Sequence, residues 1–127
     1  MIQEHIHRDA FAKLAGIKLL EAHDGTAKAQ MKIEKKHLNG LGIVQGGALF
    51  TLADLTLGAA VHSVGGEYVT MSAQINFIKG KGEGTLIGIA KKISSGKTIS
   101  NYDVEIRLEE TDELIAIFRG STFKRAE

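Results

Sequence analysis

Between Ala48 and Val61 the apolar residues Ala48, Leu49, Leu52, Ala53, Leu57, Ala60 and Val61 recur at three-and-four intervals, the spacing of one helical face. Phe50, Leu55 and Ala59 fill much of the remainder, so this helix is apolar nearly all round and belongs inside something. A turn-rich loop carrying Asn39, Gly40 and Gly42 feeds it through Gly46-Gly47, and Gly65-Gly66 ends it. Elsewhere the period drops to two. Ala27, Ala29, Met31 and Ile33 alternate with Lys28, Gln30, Lys32 and Glu34, the mark of a strand with one buried face. Four further strands are expected over Glu67 to Ile78, Thr85 to Ile93, Thr98 to Leu108 and Leu114 to Phe123. Their short separators, Lys79 to Gly82, Ser94 to Gly96 and Glu109 to Glu113, read as hairpin meanders. In the first of these strands Met71, Ala73, Ile75 and Phe77 would be dry, and Thr70, Ser72, Gln74 and Asn76 wet.

Ahead of this, Ile2, Ile6, Phe11, Leu14 and Ala15 are loosely helical in spacing, with Gly16 placed as a C-cap. Ile17 to Leu20 reads as a short strand and Asp24-Gly25 as a hairpin turn. The layout is a short helix, two strands, one long apolar helix and four long antiparallel strands. Only a curved antiparallel sheet is available to wrap that helix, which predicts an α+β fold in a single domain over residues 1–127.

Composition narrows the function classes. The chain has 127 residues, 43% hydrophobic and 24% charged, with a net charge of +1, so no long-range field draws in nucleic acid or an anionic membrane. Cysteine is absent, which excludes disulfides, thiol nucleophiles and thiolate metal sites. Neither a signal pattern nor an apolar run of the roughly 18 residues that span a bilayer is present, and a cytoplasmic location is expected. Proline is also absent, so Gly, Asn and Asp must make the turns.

The single full charge in the apolar helix is Asp54. An ionised carboxylate in such a setting is costly unless partnered, and its pKa tends to move toward a value useful in catalysis. A plainer reading is a wet stripe, because Gly47, Thr51, Asp54, Gly58 and His62 fall on one line down the helix. His5 and His7 point to different sides of a helix and make a poor metal site. His37, near the loop, either shapes the site or, on the plainer reading, is an exposed residue, and His23 reads as a turn residue beside Asp24-Gly25.

Taken together, the order of elements and the pattern Asn39-Gly40-x-Gly42-x-x-Gln45-Gly46-Gly47, followed by Leu52 and Asp54 and then by Ser72 in the next strand, resemble the hotdog-fold acyl-CoA thioesterases. The likeness is to the phenylacetate-degradation, or 4-hydroxybenzoyl-CoA thioesterase-like, branch. It runs from about Phe11 to the last strand. The resemblance implies that Asn39 helps hold the thioester, that the Gly46 N–H faces its carbonyl oxygen, that Asp54 is nucleophile or general base, and that Ser72 holds the attacking water. Gln45 stands where many members have His; it can donate a hydrogen bond but cannot carry a proton in a reaction.

Independently of the resemblance, the spacing suits acyl transfer. Gly46 opens the helix, where unpaired N–H groups and the positive end of the dipole converge on a developing oxyanion. No metal or cofactor is required, coenzyme A being part of the substrate. Gly46 and Asp54, eight residues apart, stand roughly 12 Å apart along a helix axis, too far for one carbonyl to touch both. Two chains related by a two-fold axis, each lending half, resolve this; the resemblance implies the same shared-site dimer, often doubled into a tetramer. Phosphates of coenzyme A would meet Lys79, Lys81, Lys91 and Lys97 and the turn Ser95-Gly96-Lys97-Thr98, with Gln45 and Gly47 nearer the thioester. Two other readings stand beside hydrolysis: a non-catalytic acyl-CoA binding or sensing module, and a hydratase, for which no paired catalytic His and acid is visible. The acyl group itself is not readable.

Overall fold

The computed structural model describes residues 4–127. Two short helices, α1 (Glu4–His7) and α2 (Ala10–Ala15), lead into strands β1 (Ile17–His23) and β2 (Thr26–Lys32). After a single 3-10 turn at Lys35–His37 come the long helix α3 (Gly46–His62) and strands β3 (Glu67–Phe77), β4 (Thr85–Ser95), β5 (Ile99–Leu108) and β6 (Leu114–Ala126). The strands form one antiparallel six-stranded sheet in the order β1-β2-β4-β5-β6-β3. Its inner face packs on α3, whose Leu52, Ala53, Leu57, Ala59 and Ala60 have no exposed surface. This is the wrapped-helix arrangement that the apolar periodicity requires.

The expected single N-terminal helix is instead two. Asp9 interrupts it and caps α2, its carboxylate accepting the Ala12 N–H at 3.0 Å. Ile2 and the side chain of His5 lie outside the described residues.

Close contact between sheet and helix depends on glycine at two strand positions. A Cβ built on Gly88 falls 2.6 Å from Thr56 Oγ1, and one on Gly120 falls 2.6 Å from Leu57 Cδ1. Thr56 has no room to yield: it is fully buried and its hydroxyl donates to the Leu52 carbonyl at 2.6 Å. Gly88→Ala is therefore expected to destabilise the fold by about 1–3 kcal/mol through overpacking. A drop in denaturation midpoint at unchanged denaturant slope is the readout.

The pairing of β3 departs from a meander. It pairs with β6, at the edge of the sheet, rather than with β4. Residues 78–84 are thus a crossover strap and not a hairpin turn. Their glycines serve a close approach: a Cβ on Gly80 falls 2.6 Å from Ile43 Cδ1, and one on Gly82 falls 2.5 Å from the Gly42 carbonyl. The Val44 N–H donates to the Lys81 carbonyl at 2.8 Å, tying strap to loop directly before α3.

The expected wet and dry faces of β3 also need correction. Val69, Met71 and Phe77 are each about half exposed, as befits an edge strand whose outer margin none of the described residues pairs with. The register with β6 slips between Thr70 and Ser72, so Met71 is the extra residue of a β-bulge. A bulge exchanges the faces of the residues on either side of it.

Candidate active site

Helix α3 presents its functional groups along the stripe that the sheet leaves uncovered. Gly46, Thr51, Asp54 and Gly58 are part-exposed and Gly47 is exposed, while His62 at the far end is buried. His62 is a structural residue: its Nδ1 meets the Gly58 carbonyl at 2.7 Å and its Nε2 accepts the Tyr68 N–H at 3.0 Å. That fixes a neutral tautomer with the proton on Nδ1.

At the N-terminal end of α3, the Ala48 and Leu49 N–H groups close on the Gln45 carbonyl. Among the described residues, the N–H groups of Gly46 and Gly47 have no acceptor. They are the orphan donors of a helix start. Asn39 organises the loop beside them, its Oδ1 accepting from Leu41 N–H at 2.8 Å and Ile43 N–H at 3.3 Å. With the oxygen so engaged, the amide NH2 is the end left to donate. Asn39, Gly46, Phe77 and Lys79 line one cleft of about 300 Å3. The Phe77 ring lies across Gly46, its Cζ 2.8 Å from where a Cβ would stand.

Asp54 occupies a second cleft, of about 420 Å3, with Asp9, Phe11, Phe50, Thr51 and Thr70. Burial pushes its carboxyl above the ordinary value, a hydrogen bond from Thr70 opposes that rise, and the nearby Asp9 charge adds to it. The Thr70 hydroxyl donates to Asp54 Oδ1 at 2.8 Å.

That donor is Thr70 and not Ser72. Thr70 pairs with Thr122, which is buried beneath α3, whereas Ser72 pairs with Ser121. Ser121 points the other way, its hydroxyl meeting Asn101 across the outer face. The Met71 bulge separates the two, so within one chain the hydroxyl that reaches the carboxylate is that of Thr70. Nothing in the strand's alternation distinguishes them, because both are hydroxyl residues in the expected wet set. Phe11, Asp9 and Phe77 are further neighbours of the site that periodicity treats as helix or strand filling.

His37 is also not the exposed loop residue expected. It is buried, its Nδ1 accepts the Glu34 N–H at 2.9 Å and its Nε2 meets the Ala15 carbonyl at 2.6 Å. Its own carbonyl receives the Gln45 N–H at 2.8 Å, so His37 fastens the loop before α3 to the end of α2.

The cationic positions divide into two groups. Lys79 and Lys81 both reach Glu113, at 2.6 and 2.8 Å; those bonds, Lys79 first, hold the Glu113 carboxyl down at about 2. An incoming phosphate would therefore compete with Glu113 for both. The turn Ser95-Gly96-Lys97-Thr98 joins β4 to β5 at the far end of the sheet, where Ile99 pairs with Phe123 and Phe123 with Val69. From Val69 to Phe77, which borders Gly46, is eight residues of strand, roughly 26 Å. A single chain thus unites Asn39, Gly46 and Lys79, and unites Asp54 with Thr70, but holds these groups and the 95–98 turn apart. Among the described residues no cluster of three His, Asp or Glu side chains is placed to hold a metal, and no helix is long and apolar enough to cross a membrane.

The chain is similar to known proteins over most of its length. Residues 41–115, which include Gly46, Asp54, Thr70 and Lys79, match the family model described as thioesterase superfamily. The acyl-coenzyme A thioesterase PaaI of Escherichia coli is 33% identical over 117 residues, covering 91% of this chain and 83% of the relative. The solved structure of that protein, from the phenylacetic acid degradation operon, superposes with a TM-score of 0.90 at 32% identity over 94% of this chain and 87% of the other. A Streptococcus pneumoniae hypothetical thioesterase solved with coenzyme A gives a TM-score of 0.90 at 27% identity, covering 98% of each chain. The curved sheet and the helix it encloses are those of the hotdog fold, and the chain belongs to the thioesterase superfamily.

Proposed function

We propose that the protein hydrolyses acyl-CoA thioesters to free acid and coenzyme A, in a site completed by two copies of the chain. The observation that carries this is the separation of the machinery into two halves on one rigid helix, unpaired N–H groups at one end and a desolvated carboxylate two turns on. The fold shared with PaaI and with a thioesterase solved with coenzyme A supports the substrate class.

The chemistry follows from the groups present. The thioester carbonyl oxygen lies at the Gly46 N–H, with the Asn39 amide as a second donor, and charge develops there as the carbonyl carbon becomes tetrahedral. Asp54 of the other chain supplies the second half, either attacking that carbon itself or taking a proton from the water that does. Thr70 favours the water route. Having donated its hydroxyl proton to Asp54 Oδ1, its oxygen can accept from a water held beside the carboxylate. The intermediate then collapses, the C–S bond breaks, and coenzyme A leaves as a stable thiolate; on the attack route the acyl–Asp54 anhydride that remains is then cleaved by water, releasing the free acid and the carboxylate.

Assembly has a ready surface in β3, an eleven-residue strand at the sheet edge with Val69, Met71, Phe77 and the following Ile78 about half exposed. An uncovered edge of that length and apolarity invites a second strand. Antiparallel pairing there brings the α3 start of one chain toward the middle of the other's helix, and the partner's 95–98 turn toward Lys79. Coenzyme A phosphates would then run between Lys79 and the Gly96-Lys97-Thr98 turn. We place the activity in a cytoplasmic dimer, doubled into a tetramer where other faces also pair.

The direct test is thiol release from a panel of aryl, short-chain and long-chain acyl-CoA esters. Turnover of at least one class is expected; tight binding with no turnover of any would favour the sensing module. A second test separates the two hydroxyls. Thr70→Val should lower kcat roughly tenfold and shift the acid limb of the pH profile upward, because it deletes the bond that favours ionised Asp54. Ser72→Ala should change kcat by less than about twofold.

A further inference from the structure

We propose that the apolar cleft between α2 and the first turn of α3 receives the acyl group of the thioester, with Phe11 and Leu14 setting which acyl groups fit. This rests on the thioesterase reading of the site and adds the place and chemical class of the part of the substrate that reading leaves open. The cleft measures about 630 Å3, within the usual range for small-molecule sites. Phe11 and Leu14 stand on its wall 63% and 71% exposed, two large apolar side chains that none of the described residues covers.

Three polar side chains around the cleft have bonds within the chain. Lys36 Nζ donates to the Leu14 carbonyl at 2.8 Å, His37 Nε2 meets the Ala15 carbonyl at 2.6 Å, and Thr51 donates to the Gly47 carbonyl at 2.8 Å. The first two bonds also fasten the C-terminal end of α2, so the wall carrying Leu14 is held in place before any ligand arrives. Among the described residues, the Gln45 amide is the one polar lining side chain without a protein partner, and it lies at the α3 start.

Position supplies the occupant. The cleft borders Gly47, and two of its lining residues, Phe11 and Thr51, also line the cleft of Asp54. A group entering it has one end at the α3 start, beside the Gly46 and Gly47 N–H groups that receive the thioester, while the Asp54 of the adjoining cleft serves the dimer's other site. With a mainly apolar lining, the cleft suits an uncharged aliphatic or aryl acyl group; a terminal carboxylate would lose its water there and find only the exposed Lys36 ammonium and the Gln45 amide.

The test measures binding with thioethers, which cannot be hydrolysed: S-methyl-CoA, S-hexyl-CoA and S-(5-carboxypentyl)-CoA, titrated calorimetrically against the parent, Leu14→Trp and Leu14→Asp. The parent should bind the hexyl compound about tenfold or more tighter than the methyl one, and the carboxylated one little better than methyl. Leu14→Trp, which fills the cleft from an exposed position, should bring the hexyl-to-methyl ratio close to one, and Leu14→Asp should lower it. An unchanged ratio in both variants, at the parental unfolding midpoint, overturns the proposal. So does a Leu14→Asp protein that dissociates on sedimentation yet keeps the ratio, since the cleft would then be a contact between copies. Thiol release from the aryl, short-chain and long-chain acyl-CoA esters by the parent is a separate readout. Chain-length-dependent binding without release would sink hydrolysis and leave the acyl site standing.

Discussion

Asp54→Asn is expected to lower kcat for thioester hydrolysis by about a thousandfold or more while leaving acyl-CoA binding in place. Asn keeps the shape and still accepts the Thr70 hydroxyl, but it neither attacks a thioester nor takes a proton from water. The same substitution should raise stability at neutral pH. Burial, the largest influence, holds the folded Asp54 carboxyl above its ordinary 3.8, so between 3.8 and that raised value the folded state binds more protons than the unfolded one. Stability is therefore lost as pH rises through this window, and above it the ionised group remains a net burden. Asp54→Asn removes that burden, so its unfolding midpoint should exceed the parent's at pH 7 and the two should converge below pH 3.8. Catalytic activity has the opposite dependence, falling as pH drops through the raised value because the carboxylate is the working form. A residue that costs stability and is indispensable to turnover is expected of catalysis, not of packing.

The second large effect is expected at Gly46. Its contribution is a backbone N–H, which mutation cannot delete, so bulk is the available probe. A Cβ there falls 2.8 Å from Phe77 Cζ. Phe77 is more than half exposed and its ring can swing aside, so Gly46→Val should fold, with the added side chain occupying the approach to the N–H. Loss of one oxyanion donor costs on the order of a hundredfold to a thousandfold in kcat, and Gly46→Val should reach that range. Steady-state kinetics with a matched far-UV circular dichroism spectrum checks it. A shift confined to KM would mean that the N–H holds the ground state and not the transition state.

What the sequence makes legible here is what repeats. The three-and-four spacing from Ala48 to Val61 and the alternation from Ala27 to Ile33 each report a continuous contact with one core. Helix, sheet and the isolated Asp54 can all be read from them. Pairing order is different, because β3 alternates as well in isolation as any strand, and only the tertiary crossover of residues 78–84 sends it to the edge beside β6. The choice between Thr70 and Ser72 turns on one unpaired residue, Met71, which carries no bulge signature such as glycine. His37 looked exposed because its partners, the Glu34 N–H and Ala15 carbonyl, are backbone groups that no side-chain pattern reveals. A cleft formed by α2 against the start of α3 was equally hidden, since Phe11 and Leu14 have the spacing of residues that bury themselves in their own chain.

The claim on which the mechanism depends is that Gly46 and Asp54 of one site come from different chains. Mixing tests it: Asp54→Asn and Gly46→Val, each inactive alone, are unfolded together and refolded at equal concentration. In a shared-site dimer half the dimers are mixed, and each mixed dimer holds one site with the intact glycine of one chain and the intact carboxylate of the other. Activity should return to about a quarter of the parental value per chain. Should the refolded mixture exchange subunits and still show no more activity than the two variants apart, each site would lie within one chain and the two-copy mechanism would be wrong.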